Sequence, residues 1–128
     1  LALGSRYPDG KIINWPLRRR IFSFLSNKLA NFLLRANVSD YTMGYRIYSM
    51  RAIVQITKNC GKIGTGFIVL SEILAELHFN NFKIRDTKTT FINREKGSSS
   101  VDLKLIYESL IGIFKIYFKY RNFSLSKI

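Results

Sequence analysis

Apolar residues recur along the chain at several spacings, and each spacing predicts a different element. Leu1, Ala2 and Leu3 form a short apolar run closed by Gly4, which predicts a buried strand delivering Ser5, Arg6 and Tyr7 at its end. A run of that kind at the first residue reads as the inside of a strand, so the chain is expected to open within a domain. Pro8-Asp9-Gly10 is a turn signal. Asn14-Trp15-Pro16 predicts a helix start, with Asn14 near the cap and Pro16 in the first turn, where a missing N–H costs nothing. Leu17, Ile21, Leu25, Leu29 and Leu33 then recur every four residues and predict one apolar stripe on a helix over 16–35. Arg18, Arg19, Arg20 and Lys28 fall largely off that stripe.

Residues 37–44 are polar and turn-rich, and the alternation in Tyr45-Arg46-Ile47-Tyr48 predicts a short strand or bridge. A brief helix is expected over 50–56, breaks at Gly61, Gly64 and Gly66, and a second helix over 67–79 with Glu72 and Glu76 one turn apart. Residues 82–85 and 89–93, rich in β-branched and aromatic side chains, predict strands. Residues 94–100 are a polar loop. Residues 101–120 are helical by length and lack of breakers, and their apolar positions cover more than one stripe. Asp102, Lys104, Glu108, Lys115 and Lys119 interrupt the span of about 20 apolar residues that crossing a bilayer requires. With Tyr107, Tyr117 and Tyr120 as amphipathic anchors, this segment is expected to lie in a membrane interface. The competing reading is a C-terminal helix packed on the core.

Charge narrows the partners. The 128 residues carry 21 Lys and Arg against 8 Asp and Glu, a formal net charge of +13, which points to a polyanion: nucleic acid, an anionic membrane face or a phosphate-rich ligand. The hydrophobic fraction of 47% rules out disorder by composition. Cys60 is the one cysteine and His78 the one histidine, so the chain has no internal disulfide, no Cys/His zinc cluster and no mechanism needing two imidazoles.

Four places offer chemistry. Arg6 follows a strand, a common position for ligand contacts in open α/β sheets. Arg19 and Ser23 are neighbours on one helix face, from which a guanidinium fork and a hydroxyl can reach one phosphate. Asp40 is a scarce acid between a serine and a turn; it can cap, pair with Arg46 or orient a site group, and capping is the default. Arg94 and Lys96 flank a Gly-Ser loop whose N–H groups suit a pyrophosphate. For Arg6 and the Arg19/Ser23 pair taken alone, the ordinary alternative of solvated basic side chains is the stronger, and the loop carries no P-loop pattern.

Their order carries more. Gly4-Ser5-Arg6-Tyr7, Asn14-Trp15-Pro16-Leu17-Arg18-Arg19 with Ser23, Ser39-Asp40-Tyr41-Thr42-Met43-Gly44-Tyr45-Arg46, then Thr90-Phe91-Ile92-Asn93-Arg94 and Gly97-Ser98-Ser99 follow one another in a series that resembles the C-terminal half of the catalytic domain in family 2 polyprenyl-phosphate glycosyltransferases, dolichyl-phosphate mannose synthases above all. The resemblance implies an α/β fold, the C-terminal portion of a Rossmann-like GT-A domain over 1–100, followed by the amphipathic helix and tail over 101–128. It implies transfer of a sugar, mannose in the first instance, from a nucleotide sugar such as GDP-mannose to the phosphate of a polyprenyl or dolichyl lipid, with inversion, at the cytoplasmic face of a membrane. It places Arg6, Arg19 and Ser23 on the acceptor phosphate, Arg94 on the donor phosphates with Lys96 beside it, and Asp40 and Arg46 as the catalytic pair near the reaction centre.

Two departures qualify what the resemblance implies. The family's Asp-x-Asp motif, which binds a divalent cation (Mg or Mn) and the donor diphosphate, has no counterpart here, so the chain alone is expected to bind donor poorly and not to turn over. The closing loop reads Gly97-Ser98-Ser99-Ser100 where mannose synthases commonly have Gly-Glu-Ser-Lys, which leaves a glucosyl or other transferase open. From other classes stand a non-catalytic basic module for membrane or RNA, against which no RNA-binding signature is found, and a non-catalytic remnant.

Overall fold

A computed structural model describes residues 1–7, 10–93 and 103–125, and the structural statements below concern those residues. Arg94, Lys96, the loop expected over 94–100 and the boundary expected at 100/101 lie outside them.

The architecture is mixed α/β. In chain order come β1 (Ala2–Ser5), β2 (Lys11–Ile13), α1 (Leu17–Leu34), β3 (Arg46–Ile47), α2 (Met50–Asn59), α3 (Phe67–Phe79), β4 (Arg85–Lys88), β5 (Thr90–Ile92) and α4 (Leu103–Leu125). β1 is central in a three-stranded sheet, antiparallel to β3 and parallel to β4, with Ala2 opposite Arg85 and Ser5 opposite Lys88. β2 and β5 form a separate parallel pair, Ile12 opposite Phe91. Parallel neighbours require a long crossover, and here α1, α2 and α3 supply it.

Two expectations are corrected. The strand expected over 82–85 begins only at Arg85. Phe82 and Ile84 are partly buried and pack on the core beside Ile73 and Leu77, whereas all four residues of β4 are exposed. Register with β1, not burial of an apolar face, makes β4 a strand, so side-chain propensity misplaces it. The first half of the apolar stripe of α1 also points the other way, while Leu29 and Leu33 are half-buried and Leu33 packs against the core. A stripe ordinarily faces the core, but Leu17, Ile21 and Leu25 are 71%, 51% and 57% exposed, while Asn27, Ala30 and Leu34 are buried.

The core lies where α1, α3 and α4 meet β1: Leu3, Ala30, Leu34, Tyr41, Ile68, Leu74, Ile113 and Ile116 belong to one buried cluster. α3 is apolar nearly all round because it runs between α2 and α4, with Ser71 through Leu77 all buried. Its two acids are buried as well, which is costly without partners. Glu72 accepts from Lys119 Nζ at 2.9 Å and from the Gly61 N–H at 2.8 Å. Glu76 accepts from Gln55, Asn59 and Asn80, and from the Tyr120 hydroxyl at 2.5 Å. These bonds fasten α4 to α3. α4 therefore packs on the core through Ile113, Ile116 and Tyr120, as the competing reading of this helix has it.

Candidate functional site

The site is built outward from the end of β1. Strand pairing on both sides carries Arg6 into the interior, where it is 5% exposed. A buried guanidinium requires a partner, and Asp40, fully buried, provides it through two bonds: Nε to Oδ2 at 2.6 Å and Nη2 to Oδ1 at 2.8 Å. The Arg6 backbone N–H adds a third bond to Oδ2 at 3.2 Å, and Nη2 also donates to Thr42 Oγ1 at 2.7 Å.

Side chains also fix the segment that carries Asp40. Asn27, the buried polar residue of α1, accepts the Tyr41 N–H at 2.7 Å. The Tyr41 hydroxyl accepts from the Ala36 N–H and donates to Asn31, and burial raises its pKa well above the ordinary value. Arg46 donates to three backbone carbonyls, those of Tyr41, Met43 and Leu70, each at 2.8 Å. It thereby staples the 41–43 segment to α3, and burial lowers its pKa. Ser39 fixes the near end, its N–H donating to Asp86 at 2.8 Å across the sheet edge.

Beside this anchor opens a cavity of about 240 Å³. One end is cationic and aromatic. Trp15 stands between two guanidinium groups, Arg19 at 4.2 Å and Arg6 at 5.0 Å from its ring centroid, and Phe91 packs edge-on to it at 5.4 Å. Such cation–π contacts contribute about 0.5–2 kcal/mol each. Ser23, Ser26 and Thr42 also line it, and α3 and α4 contribute Phe67, Ile68, Ser71, Ser109 and Ile113. Among the described residues no carboxylate pairs with Arg19. Burial, then the charge of Arg6, lowers its pKa, so an anion placed there would relieve both. A cavity lined by cationic side chains and by the largely apolar faces of two packed helices suits an amphiphile with an anionic head.

Of the residues singled out from the sequence, Arg6, Arg19 and Ser23 line this one cavity. Asp40 reaches it only through Arg6 and Thr42, and its partner is Arg6 rather than Arg46. Arg46 lies outside the cavity wall. Trp15 stood in the sequence as a helix-start signal, and its place between two arginines carried no local mark. The walls from α3 and α4 were equally silent, since Phe67, Ile68, Ser109 and Ile113 read as ordinary helix residues. Among the described residues no group of three or more His, Cys, Asp or Glu side chains is placed to hold a metal ion, and both Asp40 oxygens are engaged by Arg6. Among the described residues, no helix is long and apolar enough to cross a membrane.

Two relatives match most of this chain. Over 114 residues, 88% of this chain and 43% of the relative, it is 32% identical to the polyprenol monophosphomannose synthase of Mycolicibacterium smegmatis. Over 116 residues, 88% of this chain and 46% of the relative, it is 30% identical to the undecaprenyl-phosphate mannosyltransferase of Micrococcus luteus. No protein-family model matches the chain, and no solved structure does. Both relatives are glycosyltransferases by name. Over most of its length the chain is similar to these two mannose-transferring proteins, and it spans a little under half the length of each.

Proposed function

We propose that the chain forms the lipid-phosphate side of an inverting glycosyltransferase and that the cavity between Arg19 and Ile113 holds a polyprenyl or dolichyl phosphate by its head. The observation that carries this reading is the cavity's polarity: a half-buried arginine, with no carboxylate partner among the described residues, and a serine one turn on at one end, α3 and α4 side chains at the other. Arg19 and Ser23 hold the phosphate oxygens, while Asp40 holds Arg6 rigid beside them. A phosphate monoester loses its second proton near pH 6, so its oxygen attacks the anomeric carbon without a side-chain base. The new carbon–oxygen bond forms as the bond to the nucleotide diphosphate breaks, with inversion. The cations at the head of the cavity lessen repulsion between the two phosphorylated reactants and fix the attacking oxygen in line.

The α/β arrangement is read as the C-terminal portion of a GT-A domain. The donor, read as GDP-mannose from the family resemblance, and a divalent cation are read as binding chiefly to the additional length that those relatives have. Arg94 and Lys96 are read as contacts to the donor diphosphate. The cavity falls short of the roughly 300–1,000 Å³ that encloses a drug-sized ligand, so only the head and the first isoprenyl units fit and the rest of the lipid must leave it. The exposed apolar face of α1 (Leu17, Ile21, Phe24, Leu25, Phe32), with exposed Arg18, Arg20 and Lys28 on the same helix, suits the anionic cytoplasmic face of a membrane as the exit.

The test is a chimera in which this chain replaces the matching 114 residues of the M. smegmatis relative. The folded chimera should move labelled mannose from GDP-mannose onto polyprenyl phosphate, and Arg19→Ala should raise the acceptor KM at least about tenfold, the loss of one charge-assisted bond. A folded chimera that labels no lipid, or an acceptor KM indifferent to Arg19→Ala, would contradict the reading.

A further inference from the structure

The apolar end of the cavity rests on an unusually close helix contact. Gly112 is buried in the interior of α4, where a glycine costs about 1 kcal/mol relative to alanine. The structure shows what the glycine permits. A Cβ at position 112 would stand 2.5 Å from Cδ1, 2.7 Å from Cγ1 and 2.9 Å from Cγ2 of Ile68 on α3. Gly64 likewise makes room for this side chain, since a Cβ there would lie 3.0 Å from its Cγ2. Ile68 is a wall of the cavity, and so is Ile113, the residue after Gly112.

α4 is not free to back away from such an intrusion. Two turns further along, Lys119 Nζ is bonded to the buried Glu72 at 2.9 Å and the Tyr120 hydroxyl to the buried Glu76 at 2.5 Å, both on α3. With the helices tied there, a methyl at position 112 must displace the Ile68 side chain, which is itself a wall of the cavity. We infer that Gly112 and Ile68 together set the width of the cavity's apolar end and so select the methyl-branched first units of an isoprenoid tail over a straight chain. The inference rests on the acceptor-lipid reading and deepens it: the head group is recognised at Arg19 and Ser23, the shape of the tail at the contact of α3 and α4.

The test compares two soluble monophosphates by calorimetric titration into this chain, geranyl phosphate with a branched tail and octyl phosphate with a straight one. Wild type should bind geranyl phosphate the more tightly. Gly112→Ala should weaken geranyl phosphate roughly tenfold while changing octyl phosphate less than about threefold, since overpacking strikes the wider ligand first. Ile68→Ala removes all three atoms that the new methyl meets, so the double variant should recover most of the lost affinity. Should Gly112→Ala fail to fold by circular dichroism, Ile68→Ala alone decides, and it should erase most of the preference for the branched tail. If Gly112→Ala binds both ligands as wild type does, loses both equally, or is not recovered in the double variant, the inference falls and the acceptor reading stands. The same follows if Ile68→Ala leaves the preference intact. If wild type binds neither phosphate, the acceptor reading falls and takes the inference with it.

Discussion

Asp40 shows how one residue fixes a site without touching it. Its two oxygens hold Arg6 against three aromatic rings, and its own segment is pinned by Asn27 and Arg46. Removing one member of a buried ion pair leaves the other charge stranded and costs about 3–5 kcal/mol. Asp40→Asn should therefore lower the unfolding free energy by roughly 3 kcal/mol in urea titration, and a loss under about 1 kcal/mol would show that Arg6 is held by other contacts. Scarcity of acids drew attention to Asp40 in the sequence, but nothing local named its partner. Arg46 is six residues away and Arg6 thirty-four, and only the fold chooses between them. Cys60 is the inert counterpart. Burial, then the charges of Glu72 and Glu76, push its thiol up to about 12. The proton is thus held more tightly in the folded chain than in the unfolded one, and the thiol stays protonated through pH 8 and 9. Alkylation by iodoacetamide in that range should be at least about tenfold slower than in the denatured chain, because only the thiolate reacts. Equal rates would show an ordinary, exposed thiol.

Helix α1 carries its lesson in its two faces. The extent of the helix was legible because periodicity is local, although Pro16 is the N-cap rather than a first-turn residue and no side chain caps the helix. The buried face was not. Periodicity locates an apolar stripe but does not say what covers it, and here the core takes the small and polar face with Asn27, Ala30 and Leu34 while Leu17, Ile21 and Leu25 look outward. The outward face is where the membrane proposal is testable apart from the fold. Replacing Leu17, Ile21 and Leu25 together by Ser should leave stability within about 0.5 kcal/mol per site, as for exposed positions generally. Co-sedimentation with vesicles of anionic phospholipid should fall several-fold. Wild-type sedimentation by the triple variant, or a collapse of its stability, would refute that use of the face. β4 is the complementary case: its exposed Arg-Asp-Thr-Lys is a strand through pairing with β1 alone, a long-range cause that residue type does not report.

At the scale of the molecule, charge and motif order were the most legible features. A net charge of +13 called for a polyanion, and the ordered motifs pointed to one family, with which the relatives agree. The cavity itself was not legible, since its walls come from α1, the 41–44 segment, α3, β5 and α4, which only the folded chain brings together. Its polarity is the central claim, and direct binding tests it without any donor. Farnesyl phosphate titrated calorimetrically into this chain should bind, farnesol should bind at least about a hundredfold more weakly, and Arg19→Ala should bring farnesyl phosphate down by roughly ten- to a hundredfold, the range of one hydrogen bond to a charged group. Equal affinity for farnesol and farnesyl phosphate, or an affinity unmoved by Arg19→Ala, would contradict a phosphate-headed lipid in this cavity.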